Sequence, residues 1–363
     1  MTVVNALCPA AIELPPNPVW RSYEGGGVLR RFRGGSATTD DHFPEDWLAS
    51  RVKARNGVNS RFPDEGLSRV TRDGVPGTLA ECLAAEPAFW WGEDGLRRGD
   101  HRGPGVLWKL LDSAVRLHIQ AHPTAEFARR RLNSNAGKTE CWYIISTRGE
   151  GYVHLGFQRP PPRAAWEQMI SNQRLDEMRA CFDRIPVRAG DCYVVPAGTP
   201  HAIGEGVFML ELQEPTDWVV RCEFSAGGFS LPPESCFMGL DLATCMDVFD
   251  FSQLPVAEVR SHFQQHPRVV AESPAFRDEE IIGAPYHGFF RLQRLSGAGG
   301  ADWPGGELMM IVVLKGRAVL TAGGVEQPVR AGQTWALPGS ARQWHWREPA
   351  GDWEVLLAKL PRP

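Results

Sequence analysis

The residues of this sequence best suited to chemistry lie in two segments: Gln120, His122 and Glu140 in HIQAHP…GKTECWYI, and His201 in GDCYVVPAGTPHAIGEG. Two imidazoles, a carboxylate and an amide oxygen form a mixed nitrogen and oxygen shell. Such a shell suits zinc or another divalent first-row metal and leaves positions open for water or a substrate oxygen. Residues two apart on a strand share a face, so Gln120 and His122 project side by side and His118 projects with them. Glu140 opens the apolar run CWYIIS, and His201 follows a strand and a turn marked by Pro196, Gly198 and Pro200. Three elements therefore converge on one ion.

The elements that must position these groups are mainly strands. Glycine (38) and proline (29) are plentiful among the 363 residues, and short apolar runs alternate with turn residues. The chain is long enough for two ordinary domains, each with its own core. TLAECLAAEPAFWWG predicts a short helix over 78–88, with Thr78 as cap and Glu81 three residues on. Apolar residues at helical spacing from Trp166 to Phe182 predict a helical insert over about 160–185. The expected organisation is an N-terminal catalytic domain over 1–230, linker and edge elements over 231–284, and a second strand-rich domain over 285–363. Trp90, Trp91, Trp142, Trp344 and Trp346 are read as core rather than as platforms for a ligand.

The two halves share a phrase. Gly190 is followed at fixed offsets by Pro196, Gly198 and His201, a spacing that resembles the second sequence motif of the cupin barrel. Gly332 and Pro338 repeat its beginning, but Ser340 stands in the glycine position and Gln343 in the histidine position. The repeat supports a mainly β fold: a duplicated cupin of double-stranded β-helix, jelly-roll barrels, whose C-terminal copy lacks the metal ligands.

On these segments the sequence resembles type I phosphomannose isomerase, a zinc enzyme family. WKLLDSAVRLHIQAHP, AGKTECWYI and VPAGTPHAIGEG are similar to three of its motifs in order and spacing; PEDWLAS and LELQEPTDWVVRCEF are similar to two more. The resemblance is strong over residues 18–224. It implies one zinc ion held by Gln120, His122, Glu140 and His201, with Lys138, Glu211 and Arg221 on the other active-site positions. The implied reaction interconverts mannose 6-phosphate and fructose 6-phosphate through a cis-enediol, with no redox change. A fixed cation at Arg221 would stabilise developing oxyanion charge, and either Glu211 or Lys138 would move the proton.

The family usually carries serine two residues before the metal-binding glutamine, where this chain has His118. An imidazole there could meet phosphate if protonated, hydrogen-bond a sugar hydroxyl, or add a metal ligand. His118 and Lys109 are therefore the expected substrate-binding residues, and the substrate is a small sugar phosphate. Two alternatives keep the fold: an isomerase of an unphosphorylated or different sugar, and a non-catalytic sugar-binding module.

A net charge of −4 and the absence of a dominant basic tract give no attraction to nucleic acid or anionic membrane. Eight cysteines without a CxxC pair read as free thiols in a reducing cytoplasm. No leader pattern opens the first twenty residues, and no apolar stretch is long enough to span a bilayer. Oligomeric state is left open.

Overall fold

Strand alternation sorts nearly every long strand between two cores. In Leu107–Ser113, Leu110 and Leu111 point to opposite faces; in Glu140–Thr147, Cys141 and Tyr143 follow Leu110, while Trp142 and Ile144 follow Leu111. A strand buried on both faces reads as an apolar run, as CWYII does; LWKLLDS departs from this by burying Lys109 and Asp112 among its apolar residues. The computed structural model describes residues 10–36, 38–72, 75–102 and 105–362. Cys8 and residues 1–9 of the segment read for a leader lie outside the described residues.

Four sheets carry the two halves. The first half has a seven-stranded antiparallel sheet in the order Gln264–Gln265, Cys192–Val195, Glu140–Thr147, Val207–Gln213, Leu107–Ser113, Glu45–Leu48, Pro18–Val19. Facing it is a five-stranded sheet, Ile185–Pro186, Tyr152–Leu155, His201–Ile203, Gln120–Ala121, Val220–Arg221. Leu111, Trp142, Ile144, Leu155, Ile203 and Met209 fill the space between them. The second half repeats the plan with a seven-stranded sheet centred on Met309–Lys315 and Trp353–Lys359 and a four-stranded sheet that includes Arg317–Ala322 and Gln343–Arg347. The two seven-stranded sheets pack on one another through Leu110, Tyr143 and Leu210 from one, and Leu292, Met310, Val312 and Leu356 from the other. The fold is mainly β, as the pattern of short runs predicts.

Helices close the outer faces. Leu79–Ala85 begins at Thr78 with the full capping box: the threonine side chain accepts from the Glu81 N–H, and the glutamate accepts from the Thr78 N–H. Arg163–Ser171 and Leu175–Ala180 form the helical insert, burying Trp166, Ile170 and Met178 against the outer side of the five-stranded sheet. The segment 231–284 holds more structure than its proline-broken sequence suggests. Val256–Phe263 is a helix that buries Val259 and Phe263, four residues apart, in the first barrel, and Arg268–Ser273 with Phe276–Glu280 forms an edge hairpin of the second. Ile12–Glu13 also crosses over, pairing with Thr334–Leu337 of the second barrel.

The repeated phrase has a repeated backbone. Gly190 and Gly332 precede equivalent strands with φ of +89° and +86°, a conformation that favours glycine. The side chains then diverge. Gln343 is exposed, and the interior of the second barrel is filled by Trp344, Trp346 and Trp353, each at most 1% exposed. Trp90, Trp91 and Trp142 are likewise core residues.

Candidate metal centre

Strand parity and register bring the expected ligands together. His201 lies directly opposite Gln120 in the five-stranded sheet, and Gln120 directly opposite Arg221 on its other side. Their neighbours Ile119, Ala121, Ala202 and Val220 point out toward the helical insert, so Gln120, His201 and Arg221 point into the barrel. Glu140 reaches the same interior from the facing sheet, on the parity of Trp142 and Ile144. His122 follows Gln120 on that parity.

One ligand atom each from His122, Glu140 and His201 falls within a 4.8 Å cluster. His122 Nε2 is 3.0 Å from Glu140 Oε1, and His201 Nε2 is 3.7 Å from Glu140 Oε2. The distal nitrogens are fixed from behind: His122 Nδ1–H donates to the Trp218 carbonyl at 2.9 Å, and His201 Nδ1–H to the Thr199 carbonyl at 2.9 Å. Each ring is thereby held in the tautomer that directs an Nε2 lone pair at the cluster, the usual support of a metal-binding histidine. Burial pushes His122 down to about 3, helped by the Lys138 ammonium, and also lowers His201. Both rings are neutral at physiological pH. Glu140 stays ionised despite burial, because Lys138 and the imidazoles hold it well below the usual carboxylate range. Its Oε2 accepts from the Trp142 indole N–H at 3.0 Å.

Gln120 stands at the edge of the cluster, its amide nitrogen 3.2 Å from His201 Nε2; turning the amide over presents its oxygen at the same point. Two neutral imidazoles, an anionic carboxylate and an amide fit a divalent cation. Lys138 donates to Glu140 Oε1 at 2.6 Å and to His122 Nε2 at 3.1 Å, placing its ammonium on the rim of this donor set.

A buried network of alternating charge adjoins the centre. Glu211 lies opposite Lys109 in register, and Lys109 Nζ stands 3.0 Å from Glu211 Oε2 and 3.6 Å from Glu45 Oε2. Glu45 also accepts from Arg21 Nε at 2.8 Å, the Trp47 indole at 2.7 Å and the Tyr23 hydroxyl at 2.7 Å. Burial, with the charge of Glu140 nearby, pushes Glu211 up to about 7 against the pull of Lys109. Glu211 can therefore gain or lose a proton at neutral pH. Among the described residues Arg221 makes no ion pair, so its guanidinium faces the cleft uncommitted, and burial lowers its pKa. The inner cleft is lined by Lys109, His118, Gln120, Lys138, Glu211 and Arg221.

His118 sits in the cleft wall as strand parity predicts, yet both its nitrogens are occupied. Nδ1–H donates to the Glu223 carbonyl at 2.7 Å and Nε2 accepts from Ser22 Oγ at 3.1 Å. Burial and the nearby Arg221 hold it down to about 4, so it brings no charge to a phosphate, and it lies outside the metal-type cluster. Sequence reasoning assigned no role to Arg21, Glu45, Asp217 or the Trp142 indole. Glu45 and Asp217 were visible within PEDWLAS and PTDWVVR; the Thr199 and Trp218 carbonyls carry no side-chain signal at all.

No family model matches the chain. It is 37% identical over 116 residues to mannose-6-phosphate isomerase ManA of Bacillus subtilis, covering 32% of this chain and 36% of that protein. It is 34% identical over 205 residues to the same organism's probable mannose-6-phosphate isomerase GmuF, covering 56% of this chain and 58% of that protein. Against mannose-6-phosphate isomerase of Streptococcus mutans, identity is 27% over 256 residues, 70% of this chain and 73% of that protein. The matched segment thus spans less than two thirds of the first two relatives. Among solved structures, mannose 6-phosphate isomerase from Bacillus subtilis superposes with a TM-score of 0.73 at 21% identity, covering 96% of this chain and 99% of that one. The chain is thus similar in sequence to relatives named mannose-6-phosphate isomerase, and it shares the fold of the Bacillus subtilis structure.

Proposed function

We propose that this protein is a metal-dependent aldose–ketose isomerase that interconverts mannose 6-phosphate and fructose 6-phosphate, with zinc held by Gln120, His122, Glu140 and His201. The observation that carries this reading is a buried cluster of two neutral, inward-directed imidazoles and a carboxylate, with a buried carboxyl near neutrality, Glu211, close to Glu140. When bound, the metal supplies Lewis-acid polarisation of the sugar's oxygens.

The chain's own residues move the proton and hold the charge. A base takes the proton from C2 of the open-chain aldose; the electron pair becomes the C1–C2 double bond of a cis-enediol as O1 gains a proton. Return of a proton to C1 and loss of one from O2 gives the ketose. Glu211 is the proposed base, since burial has already raised its proton affinity and Lys109 fixes its position. Lys138 is the alternative, but its ammonium is engaged by Glu140. Arg221 would meet the oxygen that becomes negative, its guanidinium lining the cleft and held in no close ion pair among the described residues.

The relatives named mannose-6-phosphate isomerase support this substrate. Neutral His118 favours a second reading, in which the sugar carries no phosphate. All seven described cysteines are free, which favours a reducing cytoplasm, and no described helix is long and apolar enough to cross a membrane. A coupled assay comparing mannose 6-phosphate with mannose separates the readings: turnover confined to the phosphate supports the first, and equal turnover of both supports the second.

A further inference from the structure

The inner cleft opens into a wider one lined by Trp20, Arg55, Val58, Trp218, Arg221 and Met238. Five cations line the two spaces: Arg21, Arg55, Lys109, Lys138 and Arg221. Three are committed. Arg21 pairs with Glu45 and Asp217, Lys109 with Glu211, and Lys138 with Glu140. Among the described residues, Arg55 and Arg221 have no carboxylate partner for their guanidinium groups. Arg221 lies deep, beside Gln120, where the reacting carbons would sit. Arg55 is left for the far end of a substrate.

Arg55 is also held in place. Its backbone N–H donates to Asp217 Oδ2 at 2.8 Å, and its guanidinium carbon lies 3.6 Å from the Trp218 ring centroid. The carbonyl of that same tryptophan accepts from the ligand-type His122. A stacked guanidinium keeps its donor edge free for bidentate contact with phosphate oxygens, which lysine cannot reproduce. Two carboxylates line the outer cleft. Asp217 is engaged by Arg21 and by the Arg55 N–H, while Glu234 is exposed.

We propose that Arg55, laid on the Trp218 ring, is the cation that receives the substrate's phosphate group. The proposal rests on the isomerase reading. Steady-state kinetics of wild type, Arg55→Ala and Arg55→Lys, with inorganic phosphate as inhibitor, test it. Arg55→Ala is expected to raise KM for mannose 6-phosphate by on the order of tenfold, with a smaller fall in kcat. Inhibition by inorganic phosphate should weaken in parallel, kcat/KM for mannose should fall less, and Arg55→Lys should recover part of the loss. An unchanged KM and unchanged phosphate inhibition, in an enzyme that turns over mannose 6-phosphate, overturn the proposal and leave the reading intact. Should wild type show no turnover, calorimetric titration with fructose 6-phosphate decides. Binding weakened in Arg55→Ala sustains the subsite while the isomerase reading falls; equal or absent binding removes both.

Discussion

The backbone N–H of Gly198 donates to the carbonyl of His122 at 2.8 Å, so the turn that delivers His201 is fastened to the residue that carries the other imidazole. The two histidines, 79 positions apart in sequence, are thus set by one local bond as well as by the sheet. Gly198 has φ +93°, and a Cβ there would meet the Val248 carbonyl oxygen at 3.3 Å. Gly198→Ala should cost about 1–2 kcal/mol of stability and weaken metal retention. Thermal unfolding with and without added zinc measures both.

Trp142 acts behind Glu140. Its indole N–H orients the carboxylate, and its ring packs edge-on against His201 with centroids 5.3 Å apart. Trp142→Phe keeps most of the packing and deletes the donor. Metal affinity should fall by about 10–100-fold, while circular dichroism stays that of wild type. A competition titration against a chromophoric chelator reads the affinity; no change would mean that the bond does not orient the ligand.

Much of this site was legible in the sequence, and the reason is parity. Gln120 and His122 announce a shared face, Glu140 heads an apolar strand, and Pro196, Gly198 and Pro200 mark the turn before His201. The capping box at Thr78 was equally plain. Register was not: nothing in LWKLLDS or VFMLELQ says that Lys109 will stand opposite Glu211. The helix Val256–Phe263 is too short for its periodicity to stand out, and the crossing of Ile12–Glu13 depends on a partner more than 320 residues away. Strand parity also placed His118 in the pocket correctly, but not the Glu223 carbonyl and Ser22 hydroxyl that occupy it.

Arg116 and Glu223 form a bidentate pair at 2.8 and 2.7 Å, and Glu223 Oε2 also accepts from the Ile119 N–H. Glu223 is fully buried, and Arg116 holds it below the usual carboxylate range. Arg116→Ala strips that carboxylate of its bidentate partner, leaving the longer contact to Arg179 Nε at 3.5 Å, beside the strand that bears Gln120. The expected cost is about 3 kcal/mol, partly relieved by adding Glu223→Gln. Urea denaturation of the single and double variants checks both the loss and the rescue.

Glu211 makes stability depend on pH. Its pKa in the folded chain, about 7, lies above the ordinary value of 4.5. The folded state therefore holds a proton that the unfolded chain has released between those values. This contribution is fully present below the ordinary value and is lost as pH rises through about 7. Apo protein should lose stability between pH 5 and about 8 more steeply than Glu211→Gln, which lacks the titrating group. Parallel slopes for the two proteins across that range would contradict the assignment.

The central claim is that isomerisation and metal binding share one set of residues. The most direct measurement is metal content by mass spectrometry alongside conversion of mannose 6-phosphate, for wild type, Glu140→Gln and His201→Ala. The account predicts one metal ion per wild-type chain, conversion that chelation abolishes and zinc restores, and loss of metal and conversion together in both variants. Conversion at the wild-type rate in a His201→Ala protein that holds no metal would contradict it.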